Sequence, residues 1–250
     1  MERTLVYFVA DVHLGTGADA AEREARFVSF LKGIPRNALA VWLLGDIWDF
    51  WYEYRDVVPR DAARVVSELI ALMDAGVEVY FVPGNHDIWT YSYFTELGIH
   101  RVEQPYSTVI GGRSFCLGHG DSLGGSGFWY GLTLRMFRSK VLQALFSTLH
   151  PWIAYRLARA WSGGSRKRHS KYKFKGDGSE PLYRFAAGRT EDFCIFGHFH
   201  DGFSTTFPDG RRFIILQDWM GGGEPHAVFD TATSCLSLIP SEPRSEDARS

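Results

Sequence analysis

Leu5-Val6-Tyr7-Phe8-Val9-Ala10-Asp11-Val12-His13 holds the key to the fold. Six apolar residues run without a break, the pattern of a strand buried on both faces. The run stops at a carboxylate and an imidazole two positions apart. The same arrangement recurs outward along the chain. Ala38 to Leu44 ends in Gly45-Asp46, and Val77 to Val82 ends in Pro83-Gly84-Asn85-His86-Asp87. Val109 to Leu117, folded back at Gly111-Gly112, ends in Gly118-His119-Gly120-Asp121, and Phe193 to Phe196 ends in Gly197-His198-Phe199-His200. Between the first runs, Ala20 to Lys32 has helical spacing at Ala21, Ala25, Val28 and Leu31, and Ala62 to Met73 reads as a helix stopped by Gly76. Beyond His200 the pattern alternates around an Asp209-Gly210 turn, which predicts antiparallel strands. Strands alternating with helices predict an α/β sandwich of layers.

Composition narrows the class. With 250 residues and 45% apolar side chains the chain can bury a full core unaided. Disordered, collagenous and coiled-coil classes are excluded. No apolar run reaches 18 residues, so a membrane span is not expected. Met1-Glu2-Arg3-Thr4 leads straight into the first strand, so no signal peptide is expected either. Cys116, Cys194 and Cys235 have no paired spacing and read as reduced core residues of a cytoplasmic protein. The net charge of −2 removes the simplest case for nucleic acid as a partner. No feature marks an obligate protein partner.

Charge is unevenly placed. Ser122 to Gly176 carries eleven Lys or Arg and no Asp or Glu, which leaves the rest of the chain at −13. This divides the chain into a core (residues 1–121 and 177–240), a basic and aromatic insertion (122–176) and a flexible polar tail (241–250). Within the insertion, Phe128 to Leu149 reads as one helical piece and Pro151 opens another. Both are too apolar all round for simple surface helices, so they either bury their faces in the main core or form a cap. A cap would place basic side chains such as Arg135 against phosphates or an anionic bilayer. The loop after it, with Ser162, Ser165, Arg166, Lys167 and Arg168, can hold phosphate or nucleotide through hydroxyls, backbone N–H groups and charge.

In α/β sheets ligands gather at the carboxyl ends of strands. Asp11, His13, Asp46, Asn85, His119, His198 and His200 therefore converge on one edge. Imidazoles and carboxylates with one amide suit divalent manganese, iron, cobalt or zinc, and the lack of cysteine argues against a structural zinc site. Seven ligands exceed the needs of one such ion and fit two sharing a bridging carboxylate. Two ions about 3.5–4 Å apart clamp the attacking and leaving oxygens of a phosphoryl group and acidify a shared water. His86 beside them can protonate a leaving oxygen or simply fix its loop.

Asp11-x-His13, Gly45-Asp46-x-x-Asp49, Gly84-Asn85-His86-Asp87, Gly118-His119 and Gly197-His198-x-His200 together resemble the ordered motif set of the calcineurin-like metallophosphoesterases. The resemblance implies a four-layer αββα sandwich. It implies that Asp11, His13, Asp46 and His200 bind one ion, that Asp46, Asn85, His119 and His198 bind the second, and that Asp46 bridges. It makes His86 the general acid or phosphate-binding residue, oriented by Asp49.

The insertion adds a narrower resemblance, to the UDP-2,3-diacylglucosamine hydrolases of lipid A biosynthesis. His119-Gly120-Asp121, the aromatic and basic helices and the Ser/Lys-rich loop sit in corresponding places. It implies cleavage of the substrate pyrophosphate at the α-phosphorus to UMP and lipid X. It also implies two divalent ions, with manganese expected; Asp121, Arg135 and the loop residues are the expected contacts to substrate. The expected partner is a lipid-linked nucleotide at the anionic inner face of the membrane, with the protein peripheral there. Known members carry Arg where His86 stands, Glu where Asp49 stands and Thr where Phe199 stands. Two other readings remain: a metallophosphoesterase acting on a soluble diester, nucleotide or phosphoprotein, and a non-catalytic interaction module on the same fold.

Overall fold

In the first strand, β1 (Leu5–Val9), Val6 and Phe8 face one core cluster while Tyr7 and Val9 face another, so both sides of the strand are buried. This is why its sequence does not alternate. The structure is a computed structural model; it describes residues 3–54, 56–125, 128–157 and 173–239, with backbone alone at 128–130 and 134. The chain continues through α1 (Ala20–Gly33), β2 (Ala40–Leu43), α2 (Ala63–Asp74), β3 (Glu78–Phe81), a one-turn α3 (Tyr93–Glu96) and the short β4 (His100–Arg101). Then come β5 (Tyr106–Ile110), β6 (Arg113–Leu117), α4 (Phe128–Arg138), α5 (Lys140–Ser147) and α6, residues 151–157. Last are α7 (Pro181–Ala187), β7 (Phe193–Phe196), β8 (Asp201–Thr206), β9 (Arg212–Gln217), β10 (His226–Asp230) and β11 (Cys235–Ile239).

The strands form two sheets, ordered β11-β10-β1-β2-β3-β4 and β5-β6-β7-β9-β8. β1 to β4 are parallel, and so are β6, β7 and β9. Phe8, Trp42 and Leu44 of the first sheet meet Phe115, Ile195 and Ile214 of the second in the central cluster. Phe27, Leu31, Val65 and Leu69 of α1 and α2 cover the outer face of the first sheet. Leu182 and Ala186 of α7 cover that of the second, against Phe196 and Phe213. The layers therefore run helix, sheet, sheet, helix, the α/β architecture expected. Gly111 and Gly112, at φ 55° and 79°, make the β5–β6 turn, which demands two left-handed residues in succession.

Three details differ from the sequence reading. Residues 128–149 are not one helical piece: the chain breaks at Ser139, whose hydroxyl accepts from Leu142 N and caps α5. Beyond His200 the strands are not all antiparallel, because β9 inserts beside β7 in parallel while β8 and β9 form the expected hairpin. Cys116 and Cys194 are buried, but Cys235 is exposed at the edge strand β11.

The insertion helices rest on the core through specific hydrogen bonds. Trp89 Nε1 donates to Phe137 O at 2.7 Å, Tyr52 Oη to Gln143 O at 2.8 Å, and Tyr155 Oη to Tyr52 O at 3.0 Å. None of the described residues 128–157 joins the three core clusters, and Val141, Leu145 and Trp152 are 70%, 60% and 61% exposed. The loop of Ser162, Ser165, Arg166, Lys167 and Arg168, together with Trp161 and the tail 241–250, lies outside the described residues.

Candidate metal centre

Five of the seven residues singled out as ligands sit on left-handed backbone: Asp11, His13, Asp46, His198 and His200, at φ 54°, 51°, 52°, 76° and 63°. For a non-glycine residue this costs about 1–3 kcal/mol each, and it persists only where neighbours impose it. Here strand ends brace one another: His13 N donates to Asp46 O at 2.9 Å, Asp11 N to Gly45 O at 3.1 Å, and Trp219 N to Asp11 O at 3.1 Å. The glycines that precede ligands allow close approach. A Cβ on Gly84 would meet Asp46 Oδ1, and one on Gly197 would meet Asp11 Oδ2.

The side chains converge. Atoms of Asp11, His13 and His200 lie within 4.8 Å of one another, as do those of Asp11, Asp46 and His119 and those of His13, Asp46 and His86. Asp11, His13 and Asp46 are thus each common to two groups. Asp46 Oδ2 stands 3.3 Å from His119 Nε2, 3.9 Å from His13 Nε2 and 4.0 Å from His86 Nε2. Asn85 Oδ1 lies 3.2 Å from His119 Nε2, and the His198 ring packs at 5.1 Å against that of His119. The set proposed from sequence is one cluster in space.

Three imidazoles hydrogen-bond an oxygen through Nδ1, and a fourth has its Nδ1 beside one. His119 Nδ1 faces Leu44 O at 3.1 Å, His86 Nδ1 faces Asp49 O at 2.8 Å, His200 Nδ1 faces Asp218 Oδ2 at 2.9 Å, and His13 Nδ1 lies 3.2 Å from Asp49 Oδ1. A carbonyl or carboxylate only accepts, so each Nδ1 that faces one carries a proton, and Nε2 is the nitrogen left to give its lone pair to a cation when the ring is neutral. That is the tautomer of a metal-ligating histidine with an outer partner. Asp11 Oδ1 and His13 Nε2 are fully buried without a hydrogen-bond partner. Buried polar atoms are rarely left so, and a divalent cation between them accounts for both. The residues present therefore fit a dinuclear site.

Electrostatics agree. Burial raises the Asp11 carboxyl. It would raise Asp46 too, but the charges of His119 and His86 outweigh it and hold Asp46 well below the usual carboxylate range. His119 is raised well above its ordinary value, burial being overcome by Asp46. Three buried carboxylate and imidazole groups in mutual tension are a poor arrangement for stability alone and a good one for a cation.

Asp49 holds His86 through its main-chain carbonyl, whereas its carboxylate lies nearer to His13 and accepts from Thr16 Oγ1 at 2.8 Å. Sequence reasoning missed Asp218, a single Asp after an apolar strand with no neighbour to mark it. It also gave no role to Asp87, whose carboxylate accepts from the backbone of Gly84 at 2.7 Å and Ile47 at 2.8 Å and so ties two ligand loops together. Burial and the nearby Asp46 push Asp87 up to about 7.

A cavity of about 410 Å³ opens beside the cluster, lined by Asn85 and His86 together with Trp89, Phe137, Phe146 and Leu157. A second, of about 310 Å³, includes Asp121, whose carboxylate accepts from Gln104 Nε2. Arg135 is exposed and lines neither cavity.

The sequence profile of the calcineurin-like phosphoesterases matches residues 4–202. The chain belongs to that family and is a metal-dependent hydrolase of phosphoric esters. Membership implies two divalent ions at the centre described above. Within the family it is similar to proteins named UDP-2,3-diacylglucosamine hydrolase. One from Porphyromonas gingivalis is 35% identical over 95% of this chain and 98% of its own. One from Proteus mirabilis is 31% identical over 93% and 97%, and one from an Enterobacter species 34% over 65% and 67%.

Proposed function

We propose that the protein hydrolyses the pyrophosphate of UDP-2,3-diacylglucosamine to UMP and 2,3-diacylglucosamine 1-phosphate, lipid X. The observation that carries this reading is the 410 Å³ cavity, which is lined both by Asn85 and His86 and by apolar side chains of α4, α5 and α6. A soluble diester or phosphoprotein needs no such chamber, whereas acyl chains do. The names of the full-length relatives support the same substrate.

Asp11, His13, Asp46 and His200 would hold one ion, and Asp46, Asn85, His119 and His198 the other, with manganese favoured over iron, cobalt or zinc. Bound there, the ions supply positive charge to the phosphoryl oxygens and acidify water. Water oxygen then bonds to the α-phosphorus while the bond to the bridging oxygen breaks. His86, its Nδ1 fixed on Asp49 O, delivers a proton from Nε2 to the departing phosphate, which it can do only as the imidazolium. Asp121 and, from the insertion, Arg135, Ser162, Ser165, Arg166, Lys167 and Arg168 would contact the substrate.

No described helix is long and apolar enough to cross a membrane. Leu145 and Trp152, with Arg156 4.7 Å over the Trp152 ring, offer an apolar and cationic surface for the cytoplasmic face of an anionic membrane. The test is thin-layer assay of the purified, manganese-loaded protein on UDP-2,3-diacylglucosamine beside soluble nucleotide diesters, with a chelator control. Lipid X and UMP from the first substrate alone are expected. Faster turnover of the soluble diesters would overturn the substrate assignment.

A further inference from the structure

Loop 83–91 is a partition. Asn85, His86 and Trp89 line the apolar cavity, Pro83, Gly84, Thr90 and Tyr91 line the second one, and Ile88 lines both. The insertion roofs the two sides differently. Met136 and Phe137 cover the first, whereas Arg138, Lys140 and Gln143 cover the second, so the helix break at Ser139 falls where apolar roof gives way to basic roof. The floor of the second cavity is polar and buried: Asp121 is 8% exposed and is held by Gln104, which also accepts from Gly120 N at 2.8 Å. Gly120 and Asp121 follow directly on His119. A chamber of each polarity thus flanks the loop that carries Asn85 and His86.

We propose that the second cavity is the nucleotide subsite, taking the uridine monophosphate half of the substrate while the apolar cavity takes the acyl half. The inference rests on the function proposed above and adds where each half lies. The chemistry of the lining matches a nucleoside phosphate. A buried carboxylate is an acceptor for a ribose diol. The Tyr91 ring, with Lys140 Nζ 5.5 Å from its centroid, offers a flat face beside a cation. Arg101 is already matched, at 2.6 Å, by Glu103, so Arg138 and Lys140 are the cations that meet phosphate oxygens. Its volume of about 310 Å³ is at the lower end for ligand pockets, enough for a nucleoside and too polar for acyl chains.

The experiment is equilibrium calorimetry of the metal-loaded protein with UMP and, separately, with glucosamine 1-phosphate, the soluble head of the other product. The variant is Arg138→Ala with Lys140→Ala; both side chains are exposed, so the fold is not at stake. UMP affinity is expected to fall by about tenfold or more, with the loss shrinking at high salt, while glucosamine 1-phosphate binding stays within about twofold. In a second variant, Asp121→Asn, the preference for UMP over 2′-deoxy-UMP should narrow. Unchanged UMP binding in the double variant, or an equal loss of glucosamine 1-phosphate, overturns the assignment. Wild-type protein that binds UMP in this way but leaves UDP-2,3-diacylglucosamine intact removes the substrate reading and keeps the subsite. Turnover of that lipid with UMP binding indifferent to Arg138 and Lys140 does the reverse.

Discussion

Asp218 Oδ2 lies 2.9 Å from His200 Nδ1, and Met220 N holds its other oxygen at 3.0 Å. The carboxylate is thereby fixed, and it fixes the imidazole, whose ring packs at 4.9 Å on that of His13. Burial alone would lower His200, but Asp218 and Asp11 raise it, so the ring gains basicity. Asp218→Ala should weaken metal binding by about 10–100-fold. Titration of metal-free protein with manganese reads this directly. Asp218 follows β9 and its side chain is only 13% exposed, so the melting temperature of the metal-free variant is read alongside; an unchanged metal affinity would leave Asp218 without this role.

Asp46 faces His13, His86 and His119 at once. Asp46→Asn should therefore disturb both ions and remove most turnover. Elemental analysis should find fewer than two ions per chain; two ions with full activity would dismiss the bridge.

His86 lies in one potential ligand group with His13 and Asp46, so its role as proton donor is open to a direct test. His86→Ala should cost about 10²–10⁴ in rate with metal content nearly intact. Loss of an ion in this variant would make His86 a ligand instead.

Phe137 lines the apolar cavity, while Leu142 and Trp152 are 42% and 61% exposed. Polar replacement of Phe137 should raise KM for the lipid substrate and spare a small chromogenic phosphodiester. The same change at Leu142 and Trp152 should weaken co-sedimentation with anionic vesicles more than it changes KM. A single common loss with lowered Tm would mean that these residues serve the fold.

Glu191 gives the pH prediction. Burial opposes its ionisation, yet Arg189 and Ser107 hydrogen bonds bring its carboxyl down to about 2. A depressed carboxyl stabilises the fold fully above its unfolded value, about 4.3, and ceases to do so as pH falls through the folded one. The difference in Tm between wild type and Glu191→Gln should be constant above about pH 5 and vanish between there and about pH 2. A difference independent of pH would assign the effect to packing.

Periodic runs and their polar ends made the strands and the ligand set legible, because burial on both faces and convergence at strand ends leave marks in adjacent residues. Ser139 was not legible as a break: a hydroxyl within an apolar stretch caps a helix only if the chain turns there, and tertiary contacts such as Trp89 to Phe137 O decide that. The parallel place of β9 beside β7 depends on a crossover through β8, which alternation alone cannot distinguish from a simple meander. Asp218 escaped notice because its partner lies 18 positions away.

The left-handed backbone at Asp11, His13, Asp46, His198 and His200 sets a direction for evolutionary drift. Glycine adopts that conformation with less strain than aspartate or histidine does. Descendants released from selection for hydrolysis should lose these side chains early, and to glycine, because relaxation of the turns accompanies the loss. Descendants that keep all five are being held there by chemistry against the preference of their own backbone.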